Sequence, residues 1–292
     1  MHPTLVDQLV VTLQRLLPAR WLGGFIYWLS RRRSIWLKNA LIRGFTALFD
    51  VDTTEAARAV PDGYPSFNDF FTRELRADAR PFTRDANQVI SPVDGTIAQL
   101  GHARHGELIE AKGAHFSAVR LLGDAELAAR FESAPFATLY LAPYNYHRIH
   151  MPLDGRLVAT QFIPGKLYSV NTRTVAVIPD LYARNERLVC HFSGVHGDFI
   201  LVLVGALNVA SMATAWAGEI RGPKHGGTVR RHWPSTDAAA PRLRQGDYMG
   251  HFNMGSTVIL LGPAARLDWN TDRRVGQPIK MGASLGRIGP AA

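Results

Sequence analysis

The sequence predicts an α+β protein, with a helical segment over residues 1–60 followed by a mainly β domain over residues 61–292. Two observations separate these parts. Up to about residue 60, arginines are interspersed with large apolar side chains and no strict alternation appears, which suits amphipathic helices. From Asn87 onward, short apolar runs are punctuated by Gly, Pro, Asn and Asp, which is the spacing of strands and turns. A third observation narrows the choice: the chain has no repeat of fixed period and no low-complexity tract, which sets aside solenoids and propellers.

The formal charge of +9 calls for an acidic partner. In the first segment Arg15, Arg20, Arg31, Arg32, Arg33, Lys38 and Arg43 face only Asp7 and Asp50. They are interleaved with Trp21, Phe25, Tyr27, Trp28, Ile35 and Trp36. Nucleic-acid arms are less greasy, whereas this mixture suits helices lying in an anionic membrane interface. The longest clean apolar run, "WLGGFIYWL", has nine residues, and a span needs about 20. The segment is therefore expected to lie on a bilayer, with helix breaks near Pro18, Gly23-Gly24 and Gly44. The alternative is a helical cap packed on the protein's own core. A secretory signal is not expected, because Arg15 and Arg20 interrupt the apolar stretch.

"YPSFNDFFTREL" comes next. Ser66 is placed to cap a helix with Asp69 as its partner, and Phe67, Phe70, Phe71 and Leu75 fall on one apolar face. Arg73 and Arg76 lie off that face. A greasy stripe beside arginines suits an acyl chain and a phosphate, and equally suits docking onto a core. The strands are expected in "QVISPVDGTIAQL", "FATLYLAPYNYHRIHMPLDGRLVATQFIPG", "RLVCHFSG", "FILVLVGALNVASM", "STVILL" and "IKMGASLGRIG". The turns "SPVDGTI" and "IKMGASLG" resemble those of lipoyl-like and sandwich-barrel folds, an analogy that carries no function. Cys190, the single cysteine, excludes an internal disulfide and reads as a small buried hydrophobe.

Three stretches carry reactive groups: "SPVDGTI" with Asp94, "YHRIHMP" with His147 and His150, and "MGST" with Ser256. Pro92, Pro143 and Pro152 work against helix, so these groups are expected at strand ends and turns. Taken singly, each has an ordinary reading as a turn former or a solvated side chain. Taken together, an Asp, a His and a Ser suggest a nucleophilic triad. The two histidines are three residues apart, which on a plain strand aims them at opposite faces. Either the chain turns there, or the two have different tasks. The G-x-S-x-G elbow of hydrolases is missing around Ser256. A different target for its hydroxyl is the preceding carbonyl, that of Gly255, since glycine tolerates the strain. The peptide would become an ester, and loss of the Ser256 α-proton would expel that ester by β-elimination. The resulting dehydroalanine would hydrolyse to a pyruvoyl group. Such a ketone forms a Schiff base with a substrate amine and accepts electrons as carbon dioxide leaves.

"ISPVDGTI", "YHRIHMP", "IPGKLYSVN", "ARNERLV" and "MGSTVIL", in this order, resemble the bacterial phosphatidylserine decarboxylase proenzyme family. "FFTREL" and "IKMGASLGRIG" fit too, and the similarity runs from about Tyr64 to near the C-terminus. The departure is Met254, where many members have Leu, a volume-conserving change. The resemblance implies cleavage between Gly255 and Ser256 into subunits 1–255 and 256–292, which remain together as a heterodimer and could dimerise further. It implies that Asp94, His150 and Ser256 form the self-cleavage triad, with Asp94 holding the imidazole, and that His147 serves decarboxylation. Tyr140 is implied near the substrate, and Phe70 and Phe71 of the apolar stripe are expected to line the same pocket. The implied cofactor is the pyruvoyl group from Ser256, with no metal. The implied partners are phosphatidylserine and an anionic membrane surface, with the protein peripheral on the cytoplasmic side. Two rival readings remain. A zinc hydrolase would use Asp94, His147 and His150, but leaves "MGST" without a role. A carrier would need a modifiable lysine at a hairpin tip, where Asp94 stands instead.

Overall fold

The computed structural model describes residues 19–109, 115–206, 211–222, 226–254, 256–263 and 267–289. The predicted break near Pro18 and the basic Arg15 lie outside these residues. Helix α1 (Ala19–Ser30) runs straight through Gly23-Gly24, and α2 (Ile35–Phe49) runs through Gly44. The expected breaks at these glycines are absent because each faces open space, where a helical glycine costs only about 1 kcal/mol. The actual break is "RRRS" at 31–34. Helix α2 stops where Asp50 adopts a left-handed conformation, φ 50°, and turns rather than helix occupy residues 50–66.

Helix α3 (Phe67–Phe71) follows, capped as predicted: the Ser66 hydroxyl accepts from the Asp69 amide at 3.2 Å and donates to its carboxylate at 2.7 Å. It ends too early to include Leu75, which instead bridges Ala56. Phe67, Phe70 and Phe71 bury against Ile42, Val51 and Tyr64, so α2 and α3 share one apolar cluster.

Strands β1 (Gln88–Ile90), β2 (Gly95–His102), β3 (Glu107–Ile109) and β4 (His115–Ser117) come next, then the short helices α4 (Ala118–Leu122) and α5 (Ala125–Ala129). β5 (Pro135–Leu141), β6 (Arg148–His150) and β7 (Gly155–Ile163) precede two further helical turns, α6 (Thr172–Val175) and α7 (Leu181–Arg184). β8 (Arg187–Gly194), β9 (Gly197–Gly205), β10 (Met212–Thr214), β11 (Gly218–Ile220), β12 (Val229–His232) and β13 (Arg242–Leu243) follow. The chain closes with β14 (Tyr248–Phe252), β15 (Ser256–Leu261), β16 (Leu267–Trp269), β17 (Pro278–Ile279) and β18 (Ser284–Ile288).

One large sheet has the order β12-β7-β8-β9-β15-β5-β2-β17, and a second runs β11-β10-β14-β6. Because strand side chains alternate, β15 feeds both faces of the large sheet. Val258 and Leu260 join a core with Ile149, Met249 and Phe252 of the second sheet. Ile259 and Leu261 join another core, with Leu121, Leu127 and Leu181 of the short helices. The molecule is thus mixed helix and sheet, and mostly β. None of its described helices is long and apolar enough to cross a membrane.

Candidate active site

"STVILL" is central β15, hydrogen-bonded to β5 on one side and β9 on the other. Ser256 opens it, opposite Leu141 and Gly205. By alternation its side chain shares the face of Val258 and Leu260, toward the second sheet. The Oγ is fully buried and has no hydrogen-bond partner among the described residues. Gly255 lies outside the described residues. The residue before it, Met254, has φ 103°, a conformation that favours glycine and strains any other residue. The chain leading there is tethered. The Phe252 amide donates to the His147 carbonyl at 3.1 Å and the Asn253 amide to the Ser211 carbonyl at 3.0 Å. The Asn253 side chain donates to Ser211 Oγ at 2.8 Å and accepts from Asn68 of α3 at 3.0 Å.

His150 ends β6, and its amide donates to the Pro92 carbonyl at 2.8 Å, placing it beside the "SPVDG" turn. Its Nδ1 lies 2.9 Å from the Gly246 carbonyl and its Nε2 lies 3.0 Å from the Tyr146 hydroxyl. A carbonyl only accepts, so Nδ1 carries the proton and Nε2 keeps its lone pair, accepting from Tyr146. Desolvation lowers the His150 pKa, opposed by the Gly246 bond and the negative charge of Asp94. The ring is therefore a neutral base near pH 7.

Asp94 sits just before β2 and is buried. Its Oδ1 accepts from Arg80 Nε at 2.9 Å and from the Met281 amide at 2.8 Å, and its Oδ2 accepts from Arg80 Nη2. Arg80 also reaches Glu55 at 2.6 Å, and Glu55 takes Lys280 at 2.8 Å. The hydrogen bond from Arg80 pulls the Glu55 pKa down to about 2. Asp94 thus does not hold the imidazole. The Gly246 carbonyl does that, and Asp94 acts on His150 through space.

His147 precedes β6 and is fully buried, with its ring stacked on Phe71 at 4.1 Å. Neither ring nitrogen makes a hydrogen bond of normal geometry, although the backbone at Ala142 and Pro143 favours the charged ring. Desolvation, aided by the positive charge of Arg73, pushes its pKa down to about 3. Burial likewise lowers His251 to about 4. Both rings protonate more readily in the unfolded chain, where His titrates near 6.5. The unfolded state then binds more protons below that pH, so stability falls as pH drops from 6.5, by roughly 1 kcal/mol per pH unit per group. His147→Ala is expected to show a shallower acid loss in denaturant titrations at pH 6.5 and 5. An unchanged loss would contradict the buried neutral ring.

The two histidines occupy different surroundings, as their odd spacing foreshadowed. Asp94 and His150 lie on backbone-paired segments, while no hydrogen bond joins either to Ser256. Phe71 meets His147, and Phe70 lies under the Arg73 guanidinium at 5.1 Å. Tyr140 pairs with Thr257, not Ser256, and packs on the helix-covered face, away from Ser256. Asp94, His147 and His150 do not converge as zinc ligands: Arg80 holds the first, and both nitrogens of His150 are taken. Sequence reasoning missed Arg80, Tyr146, Asn253 and Gly246. Of these, only Tyr146 carried a signal, being part of "YNYHRIH".

A family model described as phosphatidylserine decarboxylase matches residues 67–287, and a second, described as PSD, matches residues 9–50. The chain is 46% identical over 276 residues to the phosphatidylserine decarboxylase proenzyme of a Polaromonas species, covering 93% of this chain and 95% of the relative. It is 45% identical to the proenzyme of the same name from Methylibium petroleiphilum, over 96% of this chain and 97% of the relative. The proenzyme of that name from Nitrosococcus oceani is 44% identical, over 97% and 92%.

Proposed function

The chain belongs to the phosphatidylserine decarboxylase family, and we propose that it converts phosphatidylserine to phosphatidylethanolamine and carbon dioxide after cleaving itself between Gly255 and Ser256. The observation that carries this reading is the Ser256 hydroxyl: buried, unpaired, and two residues after the strained Met254. A hydroxyl without a partner is costly to bury, and a strained backbone favours attack on the neighbouring carbonyl.

Ser256 fits a pyruvoyl group made in place, since the same unpaired position at the head of β15 would carry it. That ketone supplies the electron sink for loss of carbon dioxide. The protein's own side chains do the rest. His150 accepts the Ser256 proton at Nε2 once the Tyr146 hydroxyl bonded there moves aside, because Gly246 fixes the other nitrogen as donor. Asp94, bonded to Arg80, lies where its carboxylate would stabilise the imidazolium that forms. His147 stays neutral in a water-poor pocket against Phe71, next to where the carboxylate loses its charge. After cleavage, residues 256–261 remain hydrogen-bonded between β5 and β9, which supports a heterodimer of subunits 1–255 and 256–292. β2 and β17 pair where "SPVDGTI" meets "IKMGASLG", which supports the lipoyl-like character of the 61–292 domain. A carbonyl reagent such as phenylhydrazine is expected to stop carbon dioxide release from phosphatidylserine vesicles, while EDTA leaves it unchanged. Carbon dioxide release that survives the carbonyl reagent but stops with EDTA would overturn the pyruvoyl reading.

We also propose that the helices of residues 1–60 dock on the cytoplasmic face of the cell membrane. Trp36 and Leu48 of α2 are 74% and 76% exposed, and Phe25, Trp28 and Ile35 are exposed beside Arg32, which stacks over Trp28 at 3.8 Å. Deleting the segment would remove Ile42 from the cluster under Phe70 and Phe71, so surface changes test it better. Trp36→Glu combined with Leu48→Glu is expected to cut binding to phosphatidylglycerol vesicles by about 10-fold or more, from lost burial and repulsion, without loss of fold. Unchanged binding would refute the docking face.

A further inference from the structure

Arg73, in "FFTREL", is a buried cation over the Phe70 ring with no ion-pair partner among the described residues. It is 3% exposed, and its Nε and Nη1 have no hydrogen-bond partner among the described residues. Asp94 and Glu55 act on it only through space, and both are bonded to Arg80. Arg187 shows how this fold otherwise buries a guanidinium. Its nitrogens donate to the carbonyls of Leu121, Asn185 and Arg120 at 2.6, 2.9 and 2.7 Å. Arg73 has no such cradle, and an unpaired buried charge is among the costliest arrangements in a protein. Its polar neighbours are also unpaired among the described residues. Tyr64 Oη, whose field reaches Arg73, is buried without a hydrogen bond of normal geometry, and so are both ring nitrogens of His147. Unpaired polar groups around one cation, among them the Tyr64 hydroxyl and the single N–H of the neutral His147 ring, point to a missing anion.

Resting on the decarboxylase reading, we propose that Arg73 receives the phosphodiester of the phospholipid substrate. Phosphatidylserine offers two anions, and they differ in fate. The carboxylate leaves as neutral carbon dioxide, so a cation gripping it would stabilise the ground state and slow the reaction. The phosphate keeps its charge throughout and can be held equally well in substrate, transition state and product. Guanidinium donors match phosphate oxygens, and the low-dielectric setting strengthens the contact. The lipid thereby anchors near His147, with its serine end free to reach Ser256.

The test uses the full chain carrying Ser256→Ala, which makes no pyruvoyl group, and monomeric dihexanoyl lipids followed by calorimetry. Phosphatidic acid, with a phosphate but neither amine nor carboxylate, is expected to bind saturably, as is phosphatidylserine, while dihexanoylglycerol binds far more weakly. Arg73→Gln is expected to weaken both phospholipids by about 10-fold or more, and Arg73→Lys to recover part of the loss. Arg73→Gln is also expected to raise the ligand-free Tm, since it removes an uncompensated charge, an effect opposite to that of losing a structural arginine. Loss of phosphatidylserine binding with phosphatidic acid unchanged would assign the carboxylate instead and overturn the proposal. So would unchanged affinity for both lipids, absence of saturable binding, or inorganic phosphate binding as tightly as the lipid. Carbon dioxide release by the wild-type chain judges the decarboxylase reading separately.

Discussion

Replacing His150 with alanine is expected to leave the chain as one uncleaved polypeptide, whereas replacing His147 yields two subunits that turn over phosphatidylserine poorly. The difference follows from where each ring stands. His150 keeps a lone pair on Nε2, shared here with the Tyr146 hydroxyl, and Nδ1 is committed to Gly246, so on the proposed reading it acts as the base for the serine hydroxyl once Tyr146 releases it. A positioned base contributes about 10²–10⁴-fold in rate, enough to turn prompt maturation into a trace reaction. His147 is walled off by Phe71 and kept neutral by burial, which suits a group that manages charge around a departing carboxylate. The measurement is the cleaved fraction on a denaturing gel beside the decarboxylation rate per cleaved molecule. A His150→Ala chain that cleaves normally, with His147→Ala intact, would reverse the assignment. Parallel loss of both steps in both variants would show that the two rings merely support the turn.

Arg80→Ala is expected to cost about 3–5 kcal/mol of stability, because it strands the buried Asp94 carboxylate. The loss spreads further, since Arg80 also binds Glu55, whose other oxygen holds Lys280. Stretches of chain around residues 55 and 94 are thereby tied at one guanidinium, and the stretch around residue 280 joins them through Glu55 and Asp94. Urea unfolding in the Ser256→Ala background compares single uncleaved chains in both cases. Asp94→Asn there is expected to cost less, because Oδ1 can still accept from the Met281 amide. A loss below about 1 kcal/mol for Arg80→Ala would mean that the pair is as weak as a surface ion pair.

The features legible in the sequence were those with a local cause. "RLVCHFSG" and "STVILL" form β8 and β15 over the expected residues, because a short apolar run bounded by polar or glycine residues has few other ways to bury itself. Ser66 and Asp69 cap α3 for the same local reason. The glycines of α1 and α2 misled, because packing of residues such as Ile42 outweighs a small propensity cost. The short helices α4 and α5, of five residues each, are too brief to show a period, although Ser117 and Asp124 cap them. Within the site, Asp94, His147, His150 and Ser256 stood out as residue types in motifs. What each one touches did not. Arg80 bonds Asp94 across 14 residues, and His150 finds Gly246 across 96 through a backbone carbonyl, which leaves no side-chain signature.

The central claim is that Ser256 becomes a ketone at a new chain end. Intact mass spectrometry of the purified protein tests it most directly. The account predicts two fragments, one ending at Gly255 and one beginning at the former Ser256. The smaller should resist N-terminal sequencing and gain mass with a carbonyl reagent. A single intact chain that still releases carbon dioxide from phosphatidylserine would contradict it.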